Sequence, residues 1–251
     1  MALFHGLRRN PAPPLLGLAG GAFVVMAATD GSSRLPGLCG AFSQAAVASL
    51  ARTVPQVVSP SALIAAWVMM LVAMMPPLLI DPVGHICHSS FAARRPRALT
   101  GFVAGYGLVW IAAGLFLLPL AIALRVLVPE PQAGLAAWAV AFAWSCTPAA
   151  QIARNLCHSL RRVSAFGMAA DRDCFAQGLF IGMPCVAACW PWMIVPMITG
   201  SAHLIIMAIV TALLFFERIA PPQPPAWQMP PSLVILHGLF SRKAVLGPDA
   251  E

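Results

Sequence analysis

From Gly178 to Gly200 the chain runs for twenty-three residues without a charged side chain. As an α-helix rising about 1.5 Å per residue this stretch is roughly 35 Å long, enough to cross the ~30 Å hydrocarbon layer of a bilayer. Comparable runs lie at Pro14–Ala28, Ser61–Ile80, Leu99–Leu124, Ala133–Ala150 and His203–Ile219. With 60% hydrophobic and 9% charged residues, the chain cannot bury so much apolar surface in a water-soluble core. Only helices and closed barrels satisfy every backbone group in lipid, and a barrel needs short alternating segments rather than long continuous runs. The expected fold is therefore all-α: a polytopic membrane helix bundle of six transmembrane helices.

The basic residues orient it. Arg8, Arg9, Arg94, Arg95, Arg97, Arg154, Arg161, Arg162, Arg172, Arg218, Arg242 and Lys243, twelve of the fifteen, fall on one side of a six-span arrangement. By the positive-inside rule that side is cytoplasmic, and both termini lie on it. The net charge of +7 thus needs no nucleic acid, and no aromatic-basic face accompanies it. Residues 1–220 form a single six-helix domain, and residues 221–251 a Pro-rich cytoplasmic tail with a short interfacial segment at Leu233–Phe240. The first apolar run fits either an uncleaved span or a signal peptide, and an amphipathic stretch at Ala41–Leu50 suits the membrane surface. Between Arg154 and Cys174 a surface helical hairpin is expected, with Asp171 and Asp173 engaged in ion pairs about Arg172. Pro184, Pro191 and Pro196 should break the fifth span.

Sulfur is the chemistry within the spans. Cys185, Cys189, Met193 and Met197 recur every fourth position and so share one helical stripe. Thiolate and thioether are soft donors that select Cu(I), and thiolates also hold zinc or iron–sulfur clusters. The plainer account is that Met and Cys are polarizable apolar filler. Depth separates the two. In the six-span arrangement Met74 and Met75, Cys146 and Cys185 lie roughly 4–6 Å from the span midpoints on the same side, with Cys189 just past the midpoint. Seven cysteines without a C-x-x-C pair do not make a secreted disulfide framework. His85, Cys87 and His88, close after Asp81, read equally well as metal donors or as ordinary surface residues. Gly101, Gly105, Gly107 and Gly114 in the third span suit close helix packing and mark it as scaffold.

WVMMLVAMMPP from Trp67, GYGLVW from Gly105, CVAACWPWM from Cys185 and FFERI from Phe215 occur in that order. In this series the chain resembles a bacterial family of predicted metal-binding integral membrane proteins, a domain of unknown function. The resemblance implies a membrane fold and metal binding, with Met74, Met75, Cys157, Cys185, Cys189 and Met193 at matching positions. The chain departs from the pattern at Ala188 and Ala153, where the family carries further cysteines.

Two functions follow. The first is a soft-metal-binding membrane protein, most consistently for Cu(I) with zinc as second candidate, serving relay or insertion. Its metal residues would be Cys185, Cys189, Met74, Met75, Met193, Cys146 and Cys157, its setting the lipid bilayer of a bacterial inner (cytoplasmic) membrane, and its partner a metal-receiving protein. The second is a non-catalytic structural or assembly subunit of a larger membrane complex. No enzyme is expected: nucleophile, base and orienting acid do not gather at one depth, and no phosphate-binding glycine loop is present.

Overall fold

The computed structural model describes residues 10–30, 60–164, 166–199, 203–234 and 238. The expected surface stretch at 41–50 and the basic residues near both ends, Arg8, Arg9, Arg242 and Lys243, lie outside the described residues. Those described form helices α1 (Ala12–Asp30), α2 (Pro60–Met74), α3 (Ile80–Ser89), α4 (Arg95–Leu127), α5 (Glu130–Ser145), α6 (Pro148–Cys157), α7 (Gly167–Ile198) and α8 (His203–Ile219). Short 3₁₀ turns at Pro76–Leu79 and Ala92–Arg94 join α2 to α3 and α3 to α4. No strand occurs among the described residues.

Two helices, α4 with its preceding turn and α7, are long and apolar enough to cross a membrane, or four spans result if each bent pair counts as one. The bent pairs are α2 with α3, at 53°, and α5 with α6, at 70°. Against the six spans expected, the difference lies in those bends and in the shortness of the end helices. The apolar part of α1 is Ala12–Ala28, and α8 has only 17 residues.

The prolines act where the sequence does not lead one to expect. Pro184, Pro191 and Pro196 sit inside a continuous α7. Pro191 lacks the N–H that would bond the Ala187 carbonyl four residues earlier, and the Trp144 indole N–H takes that carbonyl instead, at 2.9 Å. The chain bends elsewhere. The consecutive prolines Pro76 and Pro77 remove two donors in succession, and the last regular bond before them runs from Met75 N–H to Leu71 O at 2.9 Å. At the other bend Thr147 caps α6, its hydroxyl accepting from Ala150 N–H at 3.1 Å, and Pro148 opens the helix. The surface hairpin expected between Arg154 and Cys174 does not form. Helix α6 extends to Cys157 and α7 already begins at Gly167, because that segment carries the ends of two longer helices. The ion pairs of Asp171 are made not with Arg172 but with Arg94 and Arg97, each at 2.7 Å.

Helix α7 is central, packing against α4, α5, α6 and α8. Of its most apolar window 61% is buried, against 22% for α4, whose Val103, Leu108, Ile111, Leu115 and Phe116 face outward. Helix α4 therefore presents one face to the bundle and a broad apolar face to its surroundings, as a lipid-facing helix does. The two helices run parallel: Gly101 lies against Asp171 and Cys174, Gly105 against Phe175 and Leu179, and Gly182 against Val109. Their backbones meet where the side chains vanish. A Cβ on Gly105 would collide with the Phe175 carbonyl, and one on Gly178 with the Phe102 carbonyl. Farther along α4, Gly114 leaves room for the Trp67 indole, which donates to the Trp110 carbonyl at 3.1 Å.

Gly178→Ala should cost about 1–3 kcal/mol of stability, since backbone atoms of α4 cannot yield to the added methyl. Gly107→Ala, with open space around it, should leave stability unchanged or slightly raised. Thermal unfolding of the two variants in detergent distinguishes them.

Candidate metal centre

Three cysteines from two helices meet at the middle of α7. Cys185 and Cys189 lie one turn apart and Cys157 ends α6; all three are buried. Cys157, Cys185 and Cys189 line one small cavity of about 20 Å³, with Arg154, His158, Glu217 and Arg218 on its polar side and Leu78, Ala188 and Leu214 on its apolar side. That is room for one water or one small ion.

Helix α4 supplies the fourth polar group. The Tyr106 hydroxyl donates to Met75 Sδ at 3.3 Å and lies 3.2 Å from Cys185 Sγ. Its ring stacks in series between Phe102 and Trp110, with centroids 6.3 and 6.5 Å away, which fixes the direction of the phenol. Met75 is placed by the double-proline turn, which ends α2 at that point and turns the chain toward α4.

Charge is concentrated next to the sulfur. Arg154 and Glu217, only 7% and 4% exposed, form an ion pair at 3.3 Å. Arg154 also donates to the Ser145 carbonyl at 3.0 Å and to Gln151 Oε1 at 2.8 Å, while Ser232 Oγ donates to Glu217 at 3.3 Å. The Ser145 carbonyl is available because the bend between α5 and α6 ends the helix there. Arg218, one residue on, is also buried and lines the cavity together with Cys157. No ion pair of Arg218 occurs among the described residues. Two arginines and one glutamate thus leave one net positive charge against the cysteines. His158, between α6 and α7, is held below its ordinary pKa, first by burial and then by the Arg218 charge.

Of the residues singled out by sequence, Cys157, Cys185 and Cys189 come together, with Met75 joined to them through Tyr106. Met74 and Met193 are fully buried but do not line the cavity. Cys146 is half-buried at the bend between α5 and α6, where its carbonyl accepts from Gln228 N–H at 3.2 Å, and it too stays outside the cavity. His85, Cys87 and His88 do not act as one set. On α3 Cys87 turns into the core while His88 is exposed. Among the described residues no group of three or more His, Cys, Asp or Glu side chains is arranged as a ready chelate.

Sequence reasoning missed Tyr106, Arg154, Glu217 and Arg218. Tyr106 is the chain's single tyrosine and stands within an apolar run, which is a signal in itself. Glu217 and Arg218 read as the polar edge of a span, because nothing local shows that α6 and the tail residues close over them.

Such a structure defines an all-α protein with apolar helices of membrane-crossing length packed around a buried, cation-flanked cysteine cavity. The sequence profile of the PpoB2 family, described as a copper chaperone, matches residues 64–241, and the chain belongs to that family. Neither a curated protein nor a solved structure matches it. The family description is consistent with a non-enzymatic protein associated with copper and gives zinc no support.

Removing one partner of the buried pair should be costly: Arg154→Met strands the Glu217 carboxylate and should destabilise the protein by about 3–5 kcal/mol. The double variant Arg154→Met, Glu217→Leu should recover most of the loss in thermal unfolding. If the single variant unfolds like the unaltered protein, the pair carries no such weight.

Proposed function

We propose that this chain is a multi-pass inner-membrane protein that binds one Cu(I) ion at Cys185, Cys189 and Cys157 and passes it to a metal-receiving protein. The observation that carries the reading is the small cavity that the three thiols line beside one uncompensated positive charge. A Cu(I) ion held by two of the three cysteines at a time, as thiolates, has one net negative charge, the amount that Arg154, Glu217 and Arg218 together offset. The three cysteines and these charged residues are buried, so the compensation matters more than it would at a surface. Soft sulfur donors choose Cu(I) over harder divalent ions. Met74, Met193 and Cys146 serve as neighbouring packing sulfur in this reading, and Met75 as a reserve donor.

Tyr106 governs that reserve. Its hydroxyl has one proton to give and two sulfurs within reach. With Cys185 as a thiol, the S–H donates to the phenol oxygen while the phenol donates to Met75 Sδ. When copper displaces the thiol proton to solvent, the phenol turns to the thiolate and the Met75 lone pairs are released. A thioether freed as thiolate forms is a third, weak ligand suited to transfer rather than storage.

The parallel packing of α4 and α7 supports counting the bent pair between them as one crossing of the proposed six, because two parallel helices require the chain between them to return. The bent pair α5 and α6 makes that return. Asp171 at the start of α7 pairs with Arg94 and Arg97 at the start of α4, so the basic connections share one end, taken here as the cytoplasmic side.

Titration of the detergent-purified protein with Cu(I) should give one equivalent bound, lost in the Cys185→Ser, Cys189→Ser double variant; equal stoichiometry in both overturns the assignment. Tyr106→Phe should keep the stoichiometry but weaken binding by about 10–100-fold, the usual effect of removing a group that orients a metal ligand. Competition against a Cu(I) chelator reads the difference.

A further inference from the structure

Beside the sulfur cavity lies a second, open pocket of about 510 Å³, into which Asp81, His85 and His88 of α3 project together with Cys157 and His158. Cys157 and His158 line both spaces. Resting on the copper-binding reading above, we propose that the open pocket is an exchange port, a wet imidazole and carboxylate site through which Cu(I) from a soluble donor reaches the buried thiols by way of Cys157.

The donors are prepared for such a task. His85 Nε2 donates to the Arg161 carbonyl at 2.8 Å, which leaves Nδ1 of the neutral ring with its lone pair. A carbonyl on one ring nitrogen and an ion on the other is the usual arrangement of a metal-binding histidine. His88 lies three residues on and therefore shares the face of His85. Cys87 between them faces the core, so the helix presents imidazoles to the port and keeps its thiol out of it. Asp81 adds the carboxylate that attracts a cation to an end of the molecule otherwise rich in arginine. Arg161, whose carbonyl holds His85, places its guanidinium over the Phe180 ring, 4.2 Å from the centroid, and does not line the pocket.

No three of these side chains converge as a cage. Passage needs that looseness, since successive sites must hold an ion firmly enough to admit it and weakly enough to release it. The order of donors runs from carboxylate and imidazole, which tolerate water, to thiolates, which hold Cu(I) best. Cys157 is the hinge of this order: among the described residues it is the thiol that lines both the wet pocket and the cavity of Cys185.

The experiment is stopped-flow loading of the purified full-length protein from a coloured Cu(I)–bicinchoninate complex. Asp81→Asn, His88→Ala alters two exposed side chains and leaves the core intact. Loading should slow on the order of tenfold, the lower end of what ion focusing in a lined cleft contributes, while the final stoichiometry stays the same. His85→Ala should slow it in the same direction. Unaltered loading rates in both variants overturn the port and leave the copper site standing. Failure of the unaltered protein to take up copper overturns both. A variant that loads slowly and also ends with less copper at saturation overturns the port as well, because its residues would then belong to the final site.

Discussion

Everything near the cavity depends on how closely α4 can approach α7. Gly105 and Gly178 allow the two backbones to touch, and any side chain at either position would strike a carbonyl of the other helix. Without a hydrophobic driving force between helices in lipid, such contact is what holds a pair together. The register follows from it. Tyr106 stands next to Gly105, and Cys185 lies two turns beyond Gly178 on the same face, so the glycine contact sets the phenol 3.2 Å from the thiol. A looser pair would separate the hydroxyl from both sulfurs.

The bends supply what straight helices could not. A bundle of uninterrupted spans buries apolar side chains well but brings few polar groups to one point. The double proline after Met75 and the Thr147–Pro148 corner each end a helix within the packed body and free carbonyls there. The freed Ser145 carbonyl helps hold Arg154, which in turn pairs with Glu217. Two buried charges of this kind do little for stability compared with apolar packing of equal volume. Their place beside three thiols fits the proposed role in balancing the charge of a bound copper ion. The prolines inside α7 do not break it: the Trp144 indole takes the Ala187 carbonyl that Pro191 leaves open, and the helix carries its cysteines without interruption.

Legibility in the sequence was uneven, and the cause is range. Continuous apolar runs identify helices because their evidence is local, and α4 and α7 fall where such runs predict. The small residues of the third span likewise announce close packing. Helix ends were less legible: α7 begins eleven residues before the apolar stretch at Gly178, since Asp171 continues the helix once its ion pairs to Arg94 and Arg97 stabilise it, and Asp173 once it accepts from Ser164 N–H. The sulfur stripe was visible, but four-residue spacing treats Cys185, Cys189, Met193 and Met197 alike, whereas only the two cysteines border the cavity.

By itself, then, the sequence determined an all-α chain of long apolar helices rich in soft donors, because hydrophobicity and helical period are properties of neighbours in the chain. Which of those donors meet was decided only by the tertiary structure. Cys157 joins Cys185 across 28 positions, Tyr106 joins it across 79, and Arg154 meets Glu217 across 63. Those meetings depend on the angle of two bends and the contact of two glycines, neither of which leaves a periodic trace in the chain.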